Sequence, residues 1–175
     1  VSTHEKKQGG STITMQVARN FFLSPEKTYE RKLKEVLLAC VIERELSKDE
    51  ILVLYLNKLF LGHRAYGVGA AAQVYYGVTL EKLDLAQMAM IAGLPKAPSR
   101  NNPITDPEAA RDRRTYVLGR MLKLGYIDQT QYAAAVDAPV NAQWHGQAVE
   151  LSAPHIAEMV RDYMLDKYGD SAYTS

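Results

Sequence analysis

Glu35 is the last charged residue before VLLACVI, residues 36–42, an unbroken run of seven apolar side chains. Seven consecutive positions cover every face of a helix, and a helix apolar all round is a buried helix. Glu35 is therefore expected at the edge of the core, beside Ala39 and Ile42, one and two turns on. A carboxylate placed there must be paired, or it becomes hard to ionise. Arg31 and Lys32, four and three residues back, lie on its side of the helix. Two readings stay open: an ion pair that ties down the first turns, or an acid set in a basic cluster where a phosphate-bearing group is handled.

A second candidate precedes it. QGGSTITMQVARN, residues 8–20, runs from two glycines into Ser11 and Thr12 and then into a helical pattern. At 100° per residue Thr12, Gln16 and Arg19 fall within about 60° of one another. Ile13, Val17 and Phe21 flank this polar stripe, which suits the floor of a cleft. The helix start adds unpaired N–H groups and partial positive charge, and side-chain-free residues ahead of it allow close approach to the backbone. Hydroxyls, free N–H groups and an arginine can cradle an anion; a capped, half-exposed helix is the equally open alternative. Lys96 is a third candidate. It sits in the proline-broken stretch LPKAPSRNNP, residues 94–103, with no acidic residue within nine positions. It is free for an anionic ligand or simply solvated. Arg111, Arg113 and Arg114, alternating with Glu108 and Asp112, read as a salt-bridged helix face.

The elements that must hold these residues are helices. Ser24-Pro25 predicts a helix from about 25 to 46. Ser47 and Glu50 form a capping box for KDEILVLYLNKLF, with Gly62 as its stop. GVGAAAQVYYG, bounded by glycines, packs closely on its neighbours. Asp84 caps LDLAQMAMIAG. Thr105 and Glu108 suggest a capping box for a helix to Leu124 stopped by Gly125, and Asp128 caps IDQTQYAAAV. Residues 138–150 read as loop and 152–169 as one more helix. Period-two strand patterns are nearly absent, so the fold is expected to be mainly α with irregular helix packing.

The chain has 175 residues, 47% of them apolar and 23% charged, as in ordinary globular proteins. A net charge of +1 hides a split: residues 1–125 hold 19 Lys and Arg against 13 Asp and Glu, and residues 126–175 hold 2 against 7. The basic part suits an anionic partner or a solvated surface. Cys40, the single cysteine, is expected as a small buried hydrophobe and excludes a disulfide framework. His4, His63, His145 and His155 are too scattered for a metal site. No apolar stretch reaches the roughly 18 residues of a bilayer span. Val1 is not a methionine and AYTS carries no terminal cap, so the chain reads as part of something longer.

QGGSTITMQVARN, ERKLKEVLLACVIE, KDEILVLYLNKLFLG and RRTYVLGRM occur in that order. They resemble four successive blocks of the peptidoglycan glycosyltransferase domain of class A, bifunctional penicillin-binding proteins, and Met15 and Arg19 point to Gram-negative members. The resemblance implies a mainly α, lysozyme-like fold of two lobes, incomplete at its N-terminus. It implies a partial glycosyltransferase domain over 1–137 and a linker toward a transpeptidase domain over 138–175. The implied activity is polymerisation of lipid II into β-1,4 glycan with release of undecaprenyl pyrophosphate. The implied partners are lipid II, the growing glycan strand, the inner membrane surface and the transpeptidase domain of the same parent chain. Its place would be the periplasmic face of the bacterial inner membrane, with an N-terminal anchor outside this chain. No cofactor is implied as tightly bound, although magnesium or manganese could accompany the pyrophosphate.

By position in these blocks, Glu35 matches the family's second catalytic glutamate, which assists the leaving pyrophosphate, and Arg31 and Lys32 match the basic pair before it. Ser11, Thr12, Gln16 and Arg19 match the pyrophosphate- and sugar-contacting block, with Met15 in place of a frequent glutamine. Lys48, Tyr55 and Asn57 match a block that supports the cleft, with Lys48 and Asn57 as substrate-binding candidates. Lys96 matches a phosphate-contacting lysine. The block carrying the general-base glutamate should precede Gln8, where only VSTHEKK stands and Glu5 has neither the spacing nor the flanks. The chain as given is thus expected not to polymerise glycan by itself. Two other classes fit the sequence less well. A lytic transglycosylase or lysozyme would need no pyrophosphate cradle, and lytic transglycosylases of this fold usually show a Glu-Ser pair, which is absent. A nucleic-acid-binding module would display its basic residues on an exposed recognition helix rather than disperse them among acids.

Overall fold

A computed structural model describes residues 10–23 and 28–146. These belong to the first of two compact units, residues 1–145, with Gly146 opening the second. The expected helix at 152–169 lies outside the described residues, as do Glu5, Gly9, Ser24 and Pro25.

Capping chemistry sets most helix starts. The hydroxyl of Thr12 accepts from the Met15 N–H and opens α1, Ile13–Phe22. Thr28 caps α2, Tyr29–Glu45, in the same way. This corrects the expected start at Ser24-Pro25: Thr28 is extended and the helix follows it. Reciprocal boxes open three helices: Ser47 with Glu50 for α3, Lys48–Lys58; Asp84 with Gln87 for α5, Leu85–Gly93; and Asp128 with Gln131 for α7, Gln129–Asp137. Each satisfies two backbone donors otherwise left bare at a helix start. α4 is Val68–Tyr76 and α6 is Pro107–Lys123. α6 starts one residue later than expected, because Asp106 takes the cap and Pro107 the first turn. Gly125 stops it, as expected, with φ +75°.

α3 ends at Lys58, short of Gly62, because the chain turns extended at Leu59 and forms one isolated bridge, Phe60 to Tyr66. No strand is present among the described residues, so the mainly α expectation holds. Short 3-10 turns occupy Leu80–Lys82 and Leu94–Lys96; the second lies in the stretch read as loop.

Three apolar clusters hold the unit together. Val17 and Ala18 of α1 pack with Ile42 of α2 and Ile51 of α3. Leu61, Ala71, Tyr75 and Leu94 anchor a second cluster around α4. Ala86, Ala89, Leu118 and Ala135 join α5, α6 and α7. Residues 138–145 stay on this unit, with Gln143 and His145 donating backbone N–H groups to the carbonyls of Tyr75 and Val74.

Two expectations fail here. α2 is not covered all round: Ala39 and Ile42 are buried, but Leu33, Leu37 and Val41 are more than half exposed and Cys40 is exposed. The described residues place α1 and α3 on one side of α2 only. The arginine face of α6 is not salt-bridged among the described residues. Arg114 is buried and donates to the carbonyls of Val136, Ala138 and Pro139 at 3.1, 2.6 and 3.4 Å, which fixes the end of α7. Arg113 donates to the Gly93 carbonyl and lies over the Tyr116 ring.

Gly67 joins the bridge to α4 at φ +87° and ψ 157°, a region nearly closed to other residues. A Cβ there would stand 2.6 Å from the Asn57 carbonyl oxygen. Gly67→Ala should therefore destabilise the protein by about 3 kcal/mol or more, backbone strain and backbone collision acting together. Denaturant unfolding of the two proteins checks this; a change under about 1 kcal/mol would contradict it.

Candidate functional site

Where α1 begins against the first turns of α2, one buried carboxylate gathers three donors. Glu35 is 1% exposed. Its Oε2 accepts from Arg31 Nη1 at 2.7 Å. Its Oε1 accepts from Lys32 Nζ at 2.7 Å and from Ser11 Oγ at 3.0 Å. Lys32 Nζ also lies 3.4 Å from Ser11 Oγ. Helical spacing alone brings Arg31 and Lys32 to Glu35; Ser11 arrives from the residues just before α1, across 24 residues of sequence. Burial beside Ala39 and Ile42 is what the sequence pattern demanded of this position.

Burial pushes the Glu35 carboxyl up, and hydrogen bonds from Lys32, Ser11 and Arg31 more than offset it, leaving it below the ordinary carboxylate value. Glu35 is therefore ionised at neutral pH and its lone pairs are engaged. The cluster of two cations and one anion keeps one excess positive charge. Exposure rises from Glu35 through Arg31 to Lys32, so the positive groups face outward. Arg31 Nε is buried and has no partner among the described residues. A junction with surplus positive charge and a spare donor suits an incoming anion. It does not suit a resident divalent cation, because the one carboxylate is already held by two cationic groups and a hydroxyl.

The other expected residues spread outward from this junction. Thr12 is exposed, with its hydroxyl oxygen engaged in capping α1. Gln16 is half-buried and Arg19 exposed one and two turns on. Arg19 lies close enough to Tyr55 of α3 for its charge to ease that phenol's ionisation, against the larger opposing effect of burial. Lys48 reaches the Glu43 carboxylate at 3.0 Å instead of the cluster. Asn57 is exposed near the end of α3, with its backbone under Gly67. Lys96 is exposed, and no hydrogen bond or ion pair joins it to Glu35 among the described residues. Its loop is anchored from beneath: Tyr75 Oη donates to the Leu61 carbonyl at 2.8 Å and accepts from Asn102 Nδ2 at 3.1 Å. Burial pushes the Tyr75 phenol up to about 12, so it stays a neutral donor.

The sequence pattern missed Thr14 and Glu43. Thr14 Oγ1 donates to Glu43 Oε1 at 2.6 Å. Glu43 lies one turn past Ala39, about 80° round the helix from Glu35, and its spacing from Ala39 was the available signal.

Comparison with known proteins identifies the fold. A family model described as Transglycosylase matches residues 1–122. The chain belongs to the transglycosylase family. This transglycosylase chain is 61% identical over 166 residues to penicillin-binding protein 1A of Pseudomonas aeruginosa, covering 95% of the chain and 20% of that protein. It is 58% identical over 166 residues to penicillin-binding protein 1A of Escherichia coli, again covering 95% and 20%. The crystal structure of penicillin-binding protein 1A from Haemophilus influenzae matches with a TM-score of 0.53 and 36% identity, over 90% of this chain and 20% of that one. The expected family and its mainly α, lysozyme-like fold class are thus the observed ones. The transglycosylase chain spans about a fifth of the length of these relatives. No described helix is long and apolar enough to cross a membrane.

The depressed Glu35 carboxyl gives acid sensitivity a definite sign. Its contribution is full above the ordinary value of 4.5 and is lost as pH falls through its lower folded value. Glu35→Gln should cost about 1–3 kcal/mol at pH 7, by leaving two cations without their counter-charge. The gap between the two proteins should then close as pH falls below 4.5. Unfolding midpoints measured from pH 7 to pH 3 test this; a pH-independent gap would exclude the ionised cluster.

Proposed function

We propose that this chain forms part of a peptidoglycan glycosyltransferase that polymerises lipid II into β-1,4 glycan strands and releases undecaprenyl pyrophosphate. Family membership supports the reaction class. The observation that carries the site assignment is the net positive Ser11–Arg31–Lys32–Glu35 junction at the foot of a polar stripe. In this reaction the 4-hydroxyl of an incoming lipid II attacks the anomeric carbon of the growing glycan, with inversion. The bond from that carbon to the lipid pyrophosphate breaks, and negative charge gathers on the departing oxygens. Arg31 and Lys32 lie where such charge would be met without reorganisation, because Glu35 already fixes them. Arg19, with Ser11, Thr12 and Gln16, would hold the pyrophosphate and adjoining sugar along α1. Lys96 would add a phosphate contact from its anchored loop, and Asn57 would support the cleft.

Glu35 serves here as an ionised residue that holds the cations of the leaving-group site. Deprotonation of the acceptor hydroxyl falls to a separate carboxylate. Cleavage of finished glycan is the weaker reading, because it requires a protonated acid near neutral pH. Glu35 is shifted the opposite way. The protein would act at the periplasmic face of the inner membrane, on a lipid-borne substrate, beside a transpeptidase domain of the same parent. The junction does not fit a resident metal, so magnesium or manganese would enter only with the pyrophosphate.

Polymerisation is tested on a protein of the relatives' length carrying this chain. Glu35→Gln should lower lipid II polymerisation about a hundredfold or more with the helical fold retained, the scale of removing a principal electrostatic group. Arg19→Ala and Lys96→Ala should each weaken undecaprenyl pyrophosphate binding about tenfold, the loss of one charged contact. Parent-level polymerisation by Glu35→Gln would reduce the cluster to a structural ion pair. Soluble muropeptides released from purified sacculi by the parent would favour cleavage instead.

A further inference from the structure

Thr14 stands on the side of α1 away from the Thr12–Gln16–Arg19 stripe, at about 200° from Thr12 on the helical wheel. It is 4% exposed and its helix packs there on Ile42 and Ile51 through Val17 and Ala18. Valine has the same shape, and a hydroxyl at such a place is costly unless bonded. Its partner is Glu43 Oε1 at 2.6 Å, and Lys48 at the start of α3 reaches the same oxygen at 3.0 Å. One carboxylate of α2 therefore holds α1 and α3 together.

We infer that Thr14, Glu43 and Lys48 form a clamp that positions the anion-binding stripe of α1 over the Arg31–Lys32–Glu35 cluster. Apolar contact is non-directional, so Val17 and Ala18 alone let α1 roll or slide on its neighbours. Hydrogen bonds are directional. α1 and the residue before its cap carry two of them to α2, Thr14 to Glu43 and Ser11 to Glu35. Their acceptors are eight residues apart on α2, about 12 Å along its axis at 1.5 Å per residue. Two separated points fix both the place and the rotation of α1, and so the direction of Gln16 and Arg19. Lys48 then acts through Glu43 and makes no contact with substrate, in contrast to the role its place in KDEILVLYLNKLFLG implies. Thr14, Glu43 and Lys48 are positioning residues for the site.

The clamp rests on the glycosyltransferase reading for its consequence, and two readouts keep them apart. In the relatives'-length protein, Thr14→Val should lower both undecaprenyl pyrophosphate affinity and kcat/KM for lipid II about tenfold, the scale of a sub-ångström misplacement. The Tm should move by only a few degrees, and Thr14→Ser should restore both quantities to within about twofold. Lys48→Ala should weaken the same binding severalfold, but not further in a Glu43→Gln background, because the two act as one unit. Parent-level affinity in Thr14→Val, failure of Thr14→Ser to rescue, or additive losses for Lys48→Ala and Glu43→Gln would each overturn the clamp. A parent that neither binds undecaprenyl pyrophosphate nor polymerises lipid II would overturn the glycosyltransferase reading, and the clamp's purpose with it.

Discussion

A carboxylate cannot lie inside a protein without donors, and the geometry of the α1–α2 junction follows from that constraint on Glu35. Removing the charge from water costs several kcal/mol before compensation. Helical spacing supplies Arg31 and Lys32, which would satisfy the charge on α2 alone. The third donor, Ser11, comes from the residue just before the cap of α1. The start of α1 is consequently tied to the same atom that organises the two cations, and its polar stripe begins where the positive groups end. A substitution at Glu35 therefore disturbs helix packing and cation placement together, which is why its effects on stability and on chemistry must be measured separately.

Much of this was legible because it is local. The i−4 and i−3 spacing of Arg31 and Lys32, the apolar run after Glu35, and the boxes at Ser47, Asp84 and Asp128 are short-range geometry that a helix enforces on any sequence carrying them. Where reading erred at a helix start, two signals competed within a few residues. Asp106-Pro107 outweighed Thr105 with Glu108, and Thr28 supplied the cap expected of Ser24. The illegible features are tertiary. Nothing in RDRR distinguishes Arg114, which ends up binding three carbonyls near the end of α7, from a surface arginine. Nothing near Thr14 names Glu43, 29 residues away.

α2 shows how a sound local rule can outrun the contacts available to it. VLLACVI does cover all faces of the helix, yet among the described residues only the side bearing Glu35, Ala39 and Ile42 is closed. That side holds the Glu35 carboxylate and its contact to Ser11, and at its exposed margin, one turn past Ala39, stands the carboxylate that binds Thr14. Packing order along this side explains why it tolerates two acids. Each lies where α1 can deliver a hydroxyl and where a cation from α2 or α3 completes the set.

The two acids differ in what surrounds them, and that difference assigns their work. Glu35 is enclosed, and two cations with one hydroxyl leave its cluster net positive and outward-facing. Glu43 is partly solvated and balanced by a single lysine, so its cluster is neutral. Only the first has charge to spare for an anion; the second has none. A neutral, directional contact is instead suited to holding a helix at a set rotation. Placing the surplus charge at one end of α1 and the neutral fastening behind it lets the helix present Gln16 and Arg19 to an anion without being drawn out of register by it.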